Sequence, residues 1–143
     1  MHERILGIDY GRKRHGLAVS DGLGVSSQPL PCLHRAKTVA ADWPHIAKVC
    51  EERDIHRVVL GLPLNMDGTE GEMAREVRRW GAELEQTLKL RVDYEDERLT
   101  SDEAEEFLIA AGLRPSERKK HRDSVAAALL VRAVLERERE TGD

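Results

Sequence analysis

The chain has 143 residues and a mass of 16.1 kDa, a length that suits one domain with a single buried core. Aromatic residues make up only 3% and charged residues 35%, so the core must come from Leu, Val, Ile and Ala, and stacking platforms for bases are nearly absent. A formal charge of -4 argues against a generic nucleic-acid coat, yet basic residues cluster at 11–15 (GRKRH) and 118–122 (RKKHR).

Residues 4–9 and 15–20 are short apolar runs joined by a glycine-bearing basic turn, which predicts a hairpin. The stretch SSQPLPCL is extended, and its two prolines place it at a sheet edge. In DWPHIAKVCEERD an Asp cap and an early Pro open a helix with Ile46, Val49 and Cys50 on one face. RVVLGLP is a fully apolar strand stopped by Pro63. Beyond the loop LNMDG, Thr69 and Glu72 have capping-box spacing, and Met73, Val77, Trp80, Leu84 and Leu88 form a core stripe. LRVDYED alternates as a strand with one solvated face. Thr100 and Glu103 form a second capping box, with Ala104, Phe107, Leu108 and Ala111 buried and Gly112 as the stop. A last helix is expected from about Ser124 to Glu138, with a fraying end.

Cys32 and Cys50 lack the spacing of a zinc or redox pair and read as reduced thiols. The longest uncharged apolar stretch, SVAAALLV, is far below the ~20 residues of a membrane span. A cytoplasmic protein without a membrane partner is therefore expected.

The resulting order, β-β-β-α-β-α-β-α-α over a single domain of residues 1–143, predicts an α/β fold with a mixed sheet whose later strands are parallel. Residues 92–108 hold eight carboxylates. Asp93 and Glu95 fall on the polar phase of a strand, and Asp102, Glu103, Glu105 and Glu106 suit the first turns of a helix. Asp96 and Glu97 remain, at the carboxyl end of that strand, and the alternation leaves open which of them points inward. Open α/β sheets gather ligands at the carboxyl ends of parallel strands. Asp9 ends the first strand, LPLNMDGT follows the fourth, and Asp123, read as opening the final helix, can reach the same edge. Carboxylates from separate elements, with Gly11 allowing close backbone approach, suit a Mg²⁺ or Mn²⁺ phosphodiesterase site. Asn65 and Thr69 precede a helix whose N-terminal amides could receive a phosphate. Asp21 lies about 20 Å along the return strand and reads as a loop residue. The six histidines show no ligand spacing.

The segments ILGIDYGRKRHGLAVSD, VVLGLPLNMDGTEG, DERLTSDEA and RDSVAAALL resemble, in order and over nearly the whole chain, four blocks of the YqgF family. Its members are described as Holliday junction resolvases or pre-16S rRNA nucleases of the RNase H-like superfamily. The resemblance implies a five-stranded sheet with the first, fourth and fifth strands parallel. It also implies an acidic triad at Asp9, Glu97 and Asp123, selecting Glu97 over Asp96, that holds one or two Mg²⁺ or Mn²⁺ ions. His121 and Arg122 stand where the family often has Lys-Val. Phosphates would be positioned by Lys13, Arg98 and the 118–122 cluster, including Lys119, Lys120 and Arg122. Precursor 16S rRNA is the first substrate expected and a four-way DNA junction the second, and paired cutting of a junction predicts a homodimer. A non-catalytic RNA- or ribosome-binding factor is the main alternative. An actin-like ATPase is a weaker one, since the chain lacks room for a second lobe.

Overall fold

The computed structural model describes residues 3–97, 106, 109, 112 and 114–140, without the side chains of 117–122. Strands β1 (Ile5–Asp9), β2 (Arg14–Ser20), β3 (Ser27–His34), β4 (Arg57–Leu62) and β5 (Arg91–Asp96) form one sheet in the order β3-β2-β1-β4-β5. β1 pairs antiparallel with β2 and β2 with β3, while β1, β4 and β5 are parallel. β3 lies at an edge, as its prolines require. Helices α1 (Asp42–Arg53), α2 (Glu72–Leu88) and α3 (Pro115–Glu140) complete the described architecture. None of the described helices is long and apolar enough to cross a membrane.

Alternation along the strands divides the core between two faces. Leu6, Ile8, Leu17, Val58 and Leu60 pack with Ile46, Val77, Trp80 and Leu84 of α1 and α2. Each such aliphatic side chain contributes about 1.5–3 kcal/mol of transfer free energy. On the other face Ile5, Ala18 and Val59 meet Ala127, Val131, Val134 and Leu135 of α3. Small residues let α3 lie close to the sheet. A Cβ on Gly7 would strike Val131 and the Ala127 carbonyl, and one on Gly16 would strike the backbone of Asp123. Ser27 Oγ also donates to the Ala128 carbonyl (2.8 Å), and Ser124 Oγ donates to the Leu30 carbonyl (2.7 Å).

Four sequence expectations are corrected. α3 begins at Pro115, nine residues before Ser124. Pro suits the first helical position, and the charged residues that follow propagate a helix without any apolar stripe to advertise it. Asp123 therefore sits inside the helix and does not open it. Asp42 is the first residue of α1, not its cap; Ala41 precedes it without a side-chain cap bond. α2 is preceded by Gly71 rather than Thr69, because the Thr69 hydroxyl is held by Asp67 Oδ1 (2.6 Å) and Asn65 Nδ2 (2.9 Å) inside its own loop. The polar face of β5 is not wholly left to solvent, being ion-paired toward α3 while Asp93 stays one-third exposed. Arg57 bridges Asp93 (2.8 Å) and Glu138 (2.9 Å), and Arg137 donates to Glu95 (2.7 Å).

The second capping-box helix lies outside the described residues, as do residues 141–143; Gly112, its expected stop, has φ +77°. Cys32 and Cys50 are both free thiols. Burial pushes Cys50 up to about 11, so it is inert at neutral pH.

Candidate active site

The alternation that sends Ile5 and Gly7 of β1 toward α3 sends Asp9 the same way, at the carboxyl end of the strand. Two residues shape its surroundings by lacking a side chain. Gly16 faces Asp9 across the β1–β2 ladder, and it is where the backbone of α3 comes closest at Asp123. Gly61 of β4 leaves a slot that the Glu97 carboxyl occupies, so that a Cβ there would collide with Glu97 Oε2. The Glu97 amide continues the ladder by donating to the Leu62 carbonyl (3.3 Å). Glu97 thus reaches back over the sheet to hydrogen-bond Asp9.

Gly61→Ala should consequently lower any reaction that needs Glu97 by about a hundredfold or more, the usual cost of misplacing a reacting group by ~1 Å. Single-turnover rates would check this. An unchanged rate would show that Glu97 does not need the slot.

Burial lifts the Asp9 carboxyl to about 6, with the Glu97 hydrogen bond opposing the rise and the Asp123 charge adding to it. Burial, then the Asp9 charge and the hydrogen bond to Asp9, lift Glu97 to about 9. The two carboxyls therefore hold a proton between them at neutral pH, Glu97 donating and Asp9 accepting. Such a pair, with a third carboxylate near enough to repel it, has the hard oxygen donors that a divalent cation takes. The third is turned aside. Arg14 Nε donates to Asp123 Oδ2 at 2.7 Å, and no three acidic, His or Cys side chains among the described residues form a ready cage. The donor set fits a cation in its chemistry, with Asp123 held by a guanidinium.

Asp9, Tyr10, Gly11, Arg12, Lys13, Arg14 and Asp123 line an open pocket of about 240 Å³. Lys13 and Gly11 stand where the sequence puts them, in the wall beside Asp9. Gly11 is also required locally, because a Cβ would collide with the Arg14 carbonyl across the tight turn. Asn65 and Thr69 line no part of this pocket as described and are bonded to each other (2.9 Å). Lys119, Lys120 and Arg122 lie in the early turns of α3, and their side chains, like all of Arg98, lie outside the described residues.

Sequence reasoning missed the support beneath the turn. The Gly11 amide donates to His15 Nδ1 (3.1 Å), which assigns the ring proton to Nε2 and lets it donate to Asp42 Oδ2 (3.2 Å). Trp80 Nε1 donates to the same oxygen (3.0 Å), and Arg35 Nε lies 3.4 Å from it. Arg35 also donates to the Tyr10 hydroxyl (3.1 Å) and the Gly11 carbonyl (3.3 Å), and Tyr10 in turn donates to Glu76 (2.7 Å). His15 and Asp42 are 0% and 1% exposed. Only the apolar neighbours of His15 hinted at its burial, and spacing gives no sign of a partner 27 residues away. Asp42→Ala leaves two buried donors, His15 and Trp80, without an acceptor and removes an ion pair from partly buried Arg35, and should cost about 3–5 kcal/mol. Chemical denaturation would measure the loss, and a cost below about 1 kcal/mol would mean that water replaces the carboxylate.

Comparison with known proteins agrees with this arrangement. The profile of the RuvX family, described as Holliday junction resolvase and equivalent to YqgF, matches residues 3–137. A protein of Syntrophomonas wolfei named "Putative pre-16S rRNA nuclease" is 41% identical over 133 residues, covering 93% of this chain and 94% of its own. A protein of the same name from Anaeromyxobacter sp. strain K is 43% identical over 134 residues, covering 94% and 97%. Among solved structures, T. thermophilus RuvC in complex with Holliday junction substrate superposes with a TM-score of 0.59 at 17% identity, covering 96% of both chains. That likeness establishes a RuvC-type, RNase H-like fold. With the sheet order and the match over residues 3–137 in accord, the chain belongs to the RuvX family.

Proposed function

We propose that this protein is a divalent-metal-dependent nuclease that processes precursor 16S rRNA, with Asp9, Glu97 and Asp123 as the ligands of one or two Mg²⁺ or Mn²⁺ ions. The observation that carries the reading is the Asp9–Glu97 pair, two partly buried carboxyls forced together beside a third acid at the carboxyl edge of the parallel strands of the sheet. Such proximity costs free energy in the cation-free protein, and a ligand role accounts for its presence. The rRNA substrate is supported by the names of the relatives that match nearly the full chain.

When bound, the ions supply Lewis acidity for in-line hydrolysis of a phosphodiester. The chain's own residues prepare for this. On giving up the proton they share, Asp9 and Glu97 would present the charge that holds the cations. The Gly11 turn, anchored through His15 and Arg35, holds Lys13 beside the acids to attract the substrate phosphate. Arg98, Lys119, Lys120 and Arg122, whose side chains lie outside the described residues, would add phosphate contacts and make binding salt-dependent. Asn65 and Thr69, in the loop before α2, would position the substrate from outside the pocket beside Asp9.

The test is cleavage of labelled precursor 16S rRNA and of a four-way DNA junction, in parallel, with Mg²⁺, Mn²⁺ or chelator. Metal-dependent cutting with the rRNA preferred is the expected result. Preference for the junction would favour a resolvase, a reading supported by the family description; it requires a homodimer, detectable by sedimentation on junction DNA. Binding of either substrate without cutting would replace the nuclease with an RNA-binding factor.

A further inference from the structure

The guanidinium of Arg14 stands beside the acids, and its position separates it from the other ion-paired arginines. Arg57 is sunk against the sheet, 7% exposed, between Asp93 and Glu138. Arg12 is engaged from outside by Glu76 (3.0 Å). Arg14 opens β2 at the pocket wall and makes its one hydrogen bond among the described residues through Nε, to Asp123. That bond is short, but both side chains stay about one-third exposed, at 36% and 30%. Charge-assisted contacts of this kind are formed and broken cheaply beside water. The backbone on either side is fixed. Gly11 packs on the Arg14 carbonyl, and Gly16 packs on the Asp123 backbone, so only the two side chains need move to separate the pair.

We infer that Arg14 is a cation surrogate, a residue that holds Asp123 when no metal is bound and must release it before the acidic trio can close on an ion. The inference rests on the proposed metal site and adds to it a determinant of how readily that site loads. An arginine that merely propped Asp123 in a ligating pose would have the opposite effect on metal affinity. As a surrogate it competes with the ion for Oδ2; as a prop it would assist the ion.

Calorimetric titration of the full chain with Mn²⁺, without nucleic acid, separates the two. Arg14→Gln should bind Mn²⁺ roughly three- to tenfold tighter than the parent, the yield of removing one partly exposed charged competitor. Arg14→Lys should lie between them, because a compact ammonium cannot reproduce the Nε geometry. In an Asp123→Asn background the gain should vanish, since the competition is over that carboxylate. Circular dichroism spectra matching the parent's would show that the variants fold. Equal or weaker Mn²⁺ binding by folded Arg14→Gln, against a parent that does bind, overturns the surrogate and leaves the metal site standing. Absence of binding by both proteins overturns the metal site and the surrogate together, whereas binding by Arg14→Gln alone supports both.

Discussion

Asp9→Asn should abolish cleavage, by at least about a thousandfold or roughly 4 kcal/mol of transition-state stabilisation, while leaving the fold intact. Asp9 ends the central strand of the α3-facing surface and touches Glu97, so any ion bound by the trio must take an oxygen from it. Asparagine has nearly the same shape and keeps an acceptor for the Glu97 hydrogen bond. What it loses is the charge, and with it the cation. Single-turnover assays at saturating Mn²⁺ would measure the change, with circular dichroism reporting on the fold. A variant that cuts at the parental rate would remove Asp9 from the chemistry.

Glu97→Gln should lose cleavage in the same way and, unusually for a partly buried substitution, should make the metal-free protein more stable. The sign follows from linkage. A carboxyl whose folded value rises from 4.5 to about 9 contributes most to stability below 4.5, and that contribution is lost as pH climbs toward 9. Asp9, raised from 3.8 to about 6, loses its share over the lower part of the same window. The metal-free parent should therefore weaken steadily from about pH 5 to pH 9. Glutamine cannot ionise, and its amide can donate to Asp9, so the variant should show a flatter profile. At pH 7 a gain of about 1–3 kcal/mol is expected, several degrees in Tm for a chain of this size. Adding Mn²⁺ should reverse the order, raising the Tm of the parent and scarcely moving the variant. A parent already as stable as Glu97→Gln across this range would show that the pair is not strained.

The strands were legible because their signals are local. Short apolar runs about a glycine-bearing turn marked β1 and β2, a fully apolar run marked β4, period-2 alternation marked β5, and Pro29 and Pro31 put β3 at an edge. The parallel pairing of β1 with β4 and β5 placed Asp9 and Glu97 at one rim, and there the structure has them bonded to each other. Polar segments hid the rest. The first turns of α3 carry charges on every side and have no stripe to read, so Asp123 was taken for a helix opener. Thr69 has the spacing of a cap but bonds Asp67 instead, and Asp42 looks like a cap but turns inward to satisfy three donors. Propensity weighs the backbone near a residue, whereas Thr69 answers to a side chain inside its own loop and Asp42 to partners distant in sequence. The roles of Gly16 and Gly61 were invisible for the same reason. A glycine in a strand warns of a close approach without naming what approaches.

The most direct test of the acidic trio is anomalous diffraction from crystals soaked in Mn²⁺. A manganese peak within coordination distance of Asp9 and Glu97, with Asp123 turned from Arg14 toward it, is the result this account predicts. Manganese bound elsewhere, with Asp9 and Glu97 still hydrogen-bonded to each other, would contradict it.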